Sequence, residues 1–212
     1  MILAMSFSLL LAFFAAAWAI SISPGPGAVA VMSASLNHGF ARGYFATFGL
    51  ILGLWTQLFV VGVGLGAVIA ASALAFAVVK WVGVAYLVWL GVRQWRAAPV
   101  PFASNGVAAA PTSRRRLVAQ AWLLNAVNPK GTAFMLAVVP QFLTPSEPLL
   151  PQYLIIAATL TFTDLVVNAG YAALAARLLG LLRTPVRVRA VNRIFGSVFI
   201  GLGVLLATFK RS

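Results

Sequence analysis

Long apolar runs dominate this sequence, and no soluble fold has room for them. They cover about residues 3–36, 44–71, 74–95, 117–143, 150–179 and 194–209. A helix needs roughly 20 apolar residues to cross the hydrocarbon core of a bilayer, and little chain is left between these runs. A soluble domain usually carries about 25% charged residues, whereas this chain of 212 residues is 62% hydrophobic and 8% charged. Lipid must be the solvent for most of it. The expected fold is all-α: a polytopic membrane protein of six transmembrane helices, forming one domain over residues 1–212. The first run has no basic residue before it, unlike a cleaved signal peptide, and reads as a retained helix.

The basic residues set the expected orientation. The formal net charge is +13, which on a soluble protein would suggest nucleic acid. Here Lys and Arg fall in alternate loops, the pattern of the positive-inside rule, so the partner is the lipid bilayer and no nucleic acid is expected. The loop after the first run holds Arg42. That after the third holds Arg93, Arg96, Arg114, Arg115 and Arg116, and that after the fifth holds Arg177, Arg183, Arg187, Arg189 and Arg193. Loops after the second and fourth runs hold none. Odd-numbered helices then end in the cytoplasm and both termini lie opposite. Lys210 and Arg211 violate the pattern, but C-terminal charges are weaker determinants. The alternative is five helices with a re-entrant first segment, since non-helical backbone is tolerated at membrane depth where it lines a cavity.

The same composition excludes several chemistries. There are no cysteines and one histidine, His38, so disulfides, thiol chemistry and a His or Cys metal cluster are excluded. The two acids, Glu147 and Asp164, cannot supply a two-carboxylate hydrolase. No nucleophile–base pair stands in the runs, so neither an enzyme nor a cofactor is expected.

The chain also reads as duplicated: a first repeat over about residues 1–96, a cytoplasmic linker over about 97–116, and a second repeat over about 117–212. Each half has three runs and opens with one broken by a proline motif. Lys80-x-x-Gly83-x-x-Tyr86-Leu87 is echoed by Arg193-x-x-Gly196-x-x-Phe199-Ile200. Three spans per half force the halves into opposite topology, the inverted-repeat plan of many secondary transporters.

The breaks are where chemistry is expected. In Ser23-Pro24-Gly25-Pro26-Gly27, two prolines flank a glycine and cannot sit inside a regular helix. The freed backbone groups must face protein or a wet cavity. A half-helix starting near Gly27 would aim its N–H groups there and favour a carboxylate. The competing reading is a simple kink. In Asn128-Pro129-Lys130, Asn128 is placed to cap a helix beginning at Pro129, which puts Lys130 in its first turn. Intramembrane charges are functional by default, with snorkelling to the interface as the alternative. Asp164 is the one acid within a run, with Asn168 a turn onward on the same face. A desolvated carboxylate can bind and release protons; the alternative is an ion pair with Lys130, Lys80 or Arg193. Thr47, Thr56, Gln57, Gln120, Asn125, Gln141 and Tyr171 read first as interhelical glue. Gly49-x-x-x-Gly53 and Gly62-x-x-x-Gly66 read as close helix packing.

With these motifs the chain resembles the lysine exporter superfamily, and within it the homoserine/threonine-resistance branch of amino-acid exporters. The residues that carry the resemblance are Ser23-Pro24-Gly25-Pro26 and Leu124-Asn125-Ala126-Val127-Asn128-Pro129-Lys130. Support comes from Gly39-x-x-x-Gly43, Gly49-x-x-x-Gly53, Gly91, Pro140-Gln141-Phe142 and the stretch from Asp164 to Tyr171. The resemblance implies a six-helix inverted-repeat carrier, usually a homodimer, in a bacterial inner membrane. It implies proton-driven export of an amino acid or close derivative. Two departures stand out: Gly27 replaces a common Asn, and Leu54-Trp55-Thr56-Gln57 stands where relatives often place an acid or histidine. The substrate site is then expected at Ser23, Pro24, Gly25, Pro26, Gly27, Asn125, Asn128, Pro129 and Lys130, with Asp164 coupling protons. A neutral substrate is expected, because a cationic one needs more negative charge than one buried acid offers. Export of a cationic amino acid or other small metabolite, or a channel, is the alternative.

Overall fold

The computed structural model describes residues 7–71, 73–99, 113–175, 177 and 184–208. Eight α-helices carry these residues: α1 (Phe7–Ile22), α2 (Pro26–His38), α3 (Phe40–Ala71), α4 (Ala73–Arg96), α5 (Arg114–Ala126), α6 (Pro129–Val138), α7 (Leu149–Ala173) and α8 (Pro185–Thr208). No strand occurs among them. Both proline motifs interrupt a helix as expected. Pro26 opens α2 and Pro129 opens α6 at positions where a missing N–H costs nothing, and α1 meets α2 at a bend of 54°.

On described residues, α3 over Phe40–Gly64 and α7 are each long and apolar enough to cross a membrane, and α1 with α2 qualifies as one bent span. The other helices do not reach that length and hydropathy on their described residues alone. Several boundaries differ from expectation. The second long helix starts at Phe40 rather than near Tyr44, so Arg42 lies on α3 and not in a loop. The last helix starts at Pro185 rather than near Ile194, so Arg187, Arg189 and Arg193 lie on a helix and not in a loop. Arginine is a good helix former, and a helix need not end where its apolar run does. The linker ends at Ser113, whose hydroxyl accepts from Arg116 N–H and caps α5. Its residues 100–112, together with Arg183, Lys210, Arg211 and the side chain of Lys80, lie outside the described residues.

The helices pack closely where glycine faces backbone. Along α3, Gly49 lies against Val118 and Ala121, and Gly53 against Trp122, Asn125 and Ala126. These contacts advance together, so α3 and α5 run parallel. Gly91 meets Gly196 and Ile200, while Gly203 meets Val84 and Val88; α4 and α8 therefore run antiparallel. Likewise Tyr44 bonds Leu165, Trp55 bonds Thr161 and Gly62 faces Tyr153, so α3 and α7 are antiparallel. Gly39, at φ +81°, turns the chain between α2 and α3 in a conformation that favours glycine. The main core includes Phe13, Leu87, Phe134, Phe142, Ile156 and Phe199, all nearly inaccessible.

A Cβ on Gly49 would sit 2.1 Å from the Val118 carbonyl oxygen, where only backbone movement gives relief. Gly49→Ala is expected to destabilise the protein by about 1–3 kcal/mol, read as a lower thermal midpoint after detergent extraction. Gly64→Ala, with no atom within 4 Å of the added Cβ, is expected to leave that midpoint unchanged or raise it.

Candidate functional site

The two breaks face each other. Lys130, in the first turn of α6, crosses to the end of α1, where its Nζ donates to the Ser23 carbonyl oxygen at 2.9 Å and contacts Ser23 Oγ at 2.6 Å. It does not snorkel. The ammonium meets the negative end of the α1 dipole and lies 5.6 Å over the ring of Phe199, a further attraction.

The second break is held from α3. Gln57 Nε2 donates to the Asn128 carbonyl and to Thr132 Oγ1, both at 2.9 Å. Asn128 Oδ1 caps the Lys130 N–H at 3.1 Å, and Asn125 Nδ2 donates to the Leu50 carbonyl at 2.6 Å. A Cβ on Gly131 would fall 2.6 Å from Gln57 Oε1, so glycine lets α6 approach this amide. Gln57 lies in the segment where the chain departs from the family pattern, and supplies a neutral amide that fastens the break.

Asp164 projects from α7 toward the first break. Its Oδ1 accepts from Ser21 Oγ at 2.7 Å, and that hydroxyl lies 3.0 Å from Thr163 Oγ1. Among the described residues its side-chain partner is a serine, and Lys130 and Arg193 make their contacts elsewhere; the Lys80 side chain lies outside the described residues. Asn168 Nδ2 donates to the Asp164 carbonyl at 2.9 Å, and Tyr171 OH donates to the Ile22 carbonyl at the end of α1.

A cavity of about 100 Å³ lies between these elements. Its walls include Ser21, Ser23, Gly25, Gly27, Asn125, Asn128, Lys130, Gly131, Asp164 and Asn168. Of the expected site residues, Ser23, Gly25, Gly27, Asn125, Asn128, Lys130 and Asp164 line it. Pro24, Pro26 and Pro129 do not, and their role is to break the helices. Ser21 and Gly131 had not been singled out. Ser21 and Ser23 are two residues apart, about 200° around a regular helix, so only the break brings both to one cavity.

Two helix N-termini open here. In α2 the first intrahelical bond runs from Val29 N–H to the Gly25 carbonyl, which leaves the N–H groups of Gly27 and Ala28 without an intrahelical acceptor. In α6 that bond runs from Thr132 to Asn128, which leaves Gly131 N–H in the same position. The cavity thus joins an ammonium and helix N-termini with a carboxylate and a hydroxyl. It can meet both charges of a small zwitterion.

An all-helical membrane protein with a polar cavity between two broken helices has the form of a small-molecule carrier. The model of the LysE type translocator family matches residues 18–209, and the chain belongs to this family. It is a protein of the bacterial inner membrane, and its family and named relatives are transporters. It is 41% identical over 208 residues to the homoserine/homoserine lactone efflux protein of Salmonella typhimurium, covering 98% of this chain and 100% of the relative. An uncharacterized membrane protein of Vibrio cholerae is 41% identical over 94% of this chain and 97% of its own length. The leucine efflux protein of an Enterobacter strain is 26% identical over 91% and 92%. No solved structure matches.

Gln57→Leu keeps the bulk of the side chain and removes both donated bonds. It is expected to cost about 1–3 kcal/mol, because the Asn128 carbonyl and Thr132 hydroxyl lose a partner in a buried site. Thermal unfolding of purified protein measures this. Thr159→Val, which removes only a bond to Ile155 of its own helix, is expected to have the smaller effect.

Proposed function

We propose that this protein exports a neutral amino acid or close derivative, such as homoserine or its lactone, from the cytoplasm by alternating access. Proton-motive force drives the cycle. The substrate carboxylate binds Lys130 and the N–H groups of Gly27, Ala28 and Gly131. Its ammonium binds Asp164 beside Ser21. The observation that carries this reading is that Lys130 and Asp164 line one cavity yet hold different serines of the same break. They contribute one charge of each sign, which suits a zwitterion better than a cation. A cavity of about 100 Å³ favours a small cargo. The printed names of the Salmonella and Enterobacter relatives support the substrate class.

In this reading the eight helices form six spans, with α1–α2 and α5–α6 each counting as one broken span. The halves before and after the linker are inverted repeats. The directions of packing support it: α3 and α5 parallel, α4 and α8 antiparallel, α3 and α7 antiparallel. Each direction is the one two oppositely inserted three-span halves require. Asp164 carries the proton, because a carboxylate whose neighbour is a hydroxyl can be protonated without stranding a buried cation.

Efflux from vesicles loaded with homoserine tests the proposal. Wild type is expected to export it in a manner abolished by an uncoupler, and to leave lysine inside. Lys130→Ala is expected to reduce efflux at least about tenfold, the weight of a charge-assisted hydrogen bond. Asp164→Asn is expected to abolish uncoupler-sensitive efflux while counterflow down a substrate gradient persists. Normal transport by both variants would overturn the site, and uncoupler-insensitive wild-type efflux would overturn the coupling.

A further inference from the structure

A second concavity lies on the outer face of the protein, away from the central cavity. It is a groove of about 440 Å³ between α3 and α5, lined by Phe45, Leu52, Val118, Ala119 and Trp122, with Arg114 and Arg115 at one end. Its floor is apolar and its wall residues Leu52 and Trp122 are exposed. The Trp122 indole N–H donates to Thr56 Oγ1 at 3.2 Å, which orients its ring along the groove.

The charged end is as well defined. The Arg114 guanidinium lies 4.6 Å over the ring of Phe45. A guanidinium carries five N–H donors and a ring face takes up few of them, so donors remain for an oxyanion. Arg115 stands beside it, also exposed. The two acids of the chain, Glu147 and Asp164, are not among the groove-lining residues. The groove thus offers uncompensated positive charge at one end and an apolar trough over the eight helical rises from Arg114 to Trp122, about 12 Å of helix.

We propose that this groove binds an anionic phospholipid, its phosphate on Arg114 and Arg115 and one acyl chain along Phe45, Leu52, Val118 and Trp122. Charge complementarity selects the headgroup and the apolar floor requires a chain, so a free anion satisfies only half of the site. The lipid would brace the α3–α5 pair, whose other face holds Gln57, Asn125 and Leu50 at the second break. The proposal is independent of the substrate assigned to the central cavity.

Native mass spectrometry of the full chain, extracted in mild detergent and supplied with phosphatidylglycerol or phosphatidylcholine of the same acyl chains, tests it. Wild type is expected to retain phosphatidylglycerol about tenfold or more over phosphatidylcholine, the scale set by two arginines at a lipid surface. Arg114→Gln with Arg115→Gln is expected to remove the preference. Ala119→Trp, which fills the trough and leaves the charges intact, is expected to reduce retention of both lipids. Arg187→Gln with Arg189→Gln, at another basic helix end, is expected to leave the preference in place. Equal retention by wild type and the Arg114/Arg115 variant would overturn the proposal, as would equal loss in the Arg187/Arg189 variant. Displacement of phosphatidylglycerol by inorganic phosphate would make it a free-anion site. Retention in the monomer but not in a dimer would make the occupant a second copy of the chain.

Discussion

Breaking a helix frees carbonyls and N–H groups, which are costly to leave unpaired away from water, and this chain breaks at two proline motifs. The contact between Lys130 and Ser23 answers both costs together. The ammonium, expensive to bury alone, gains a carbonyl and a hydroxyl. The end of α1 gains a donor for a carbonyl that its own helix leaves unsatisfied. The two breaks are thus tied at the point where both are irregular.

That tie needs the helices to come close, and small residues allow it. Gly49 and Gly53 bring α5 against α3, which carries Asn125 to the Leu50 carbonyl and sets Gln57 opposite Asn128. Gly131 then admits the Gln57 side chain. The cavity is what remains between elements held apart by their breaks and together by these contacts. Its two helix N-termini and two charged side chains come from α2, α6 and α7.

The outer surface follows a different rule. Several arginines sit over aromatic rings: Arg93 over Trp89 and Arg114 over Phe45 near helix ends, and Arg193 over Trp95 within α8. Such pairs suit the membrane interface, where a ring faces lipid and a cation faces headgroups. The groove below Arg114 adds an apolar trough to that arrangement.

Much of the molecule was legible in the chain. Apolar runs and a scarcity of charge dictate helices in lipid, and Pro-Gly-Pro and Asn-Pro dictate where two helices stop, because these effects act within a few residues. The end of α3, the bounds of α4 and the cap at Asn128 follow from the same local rules. The start of α8 did not, since its arginines disguise a helix as a loop. The pairing across the breaks belongs to the tertiary structure alone. Nothing local says that Lys130 turns to Ser23 rather than to the interface, that Asp164 takes Ser21 rather than a cation, or that Gln57 fastens α6. Those partners are more than 70 positions apart in the chain. Which side chains meet over such separations depends on how each helix is rotated and how closely its glycines let it approach its neighbours.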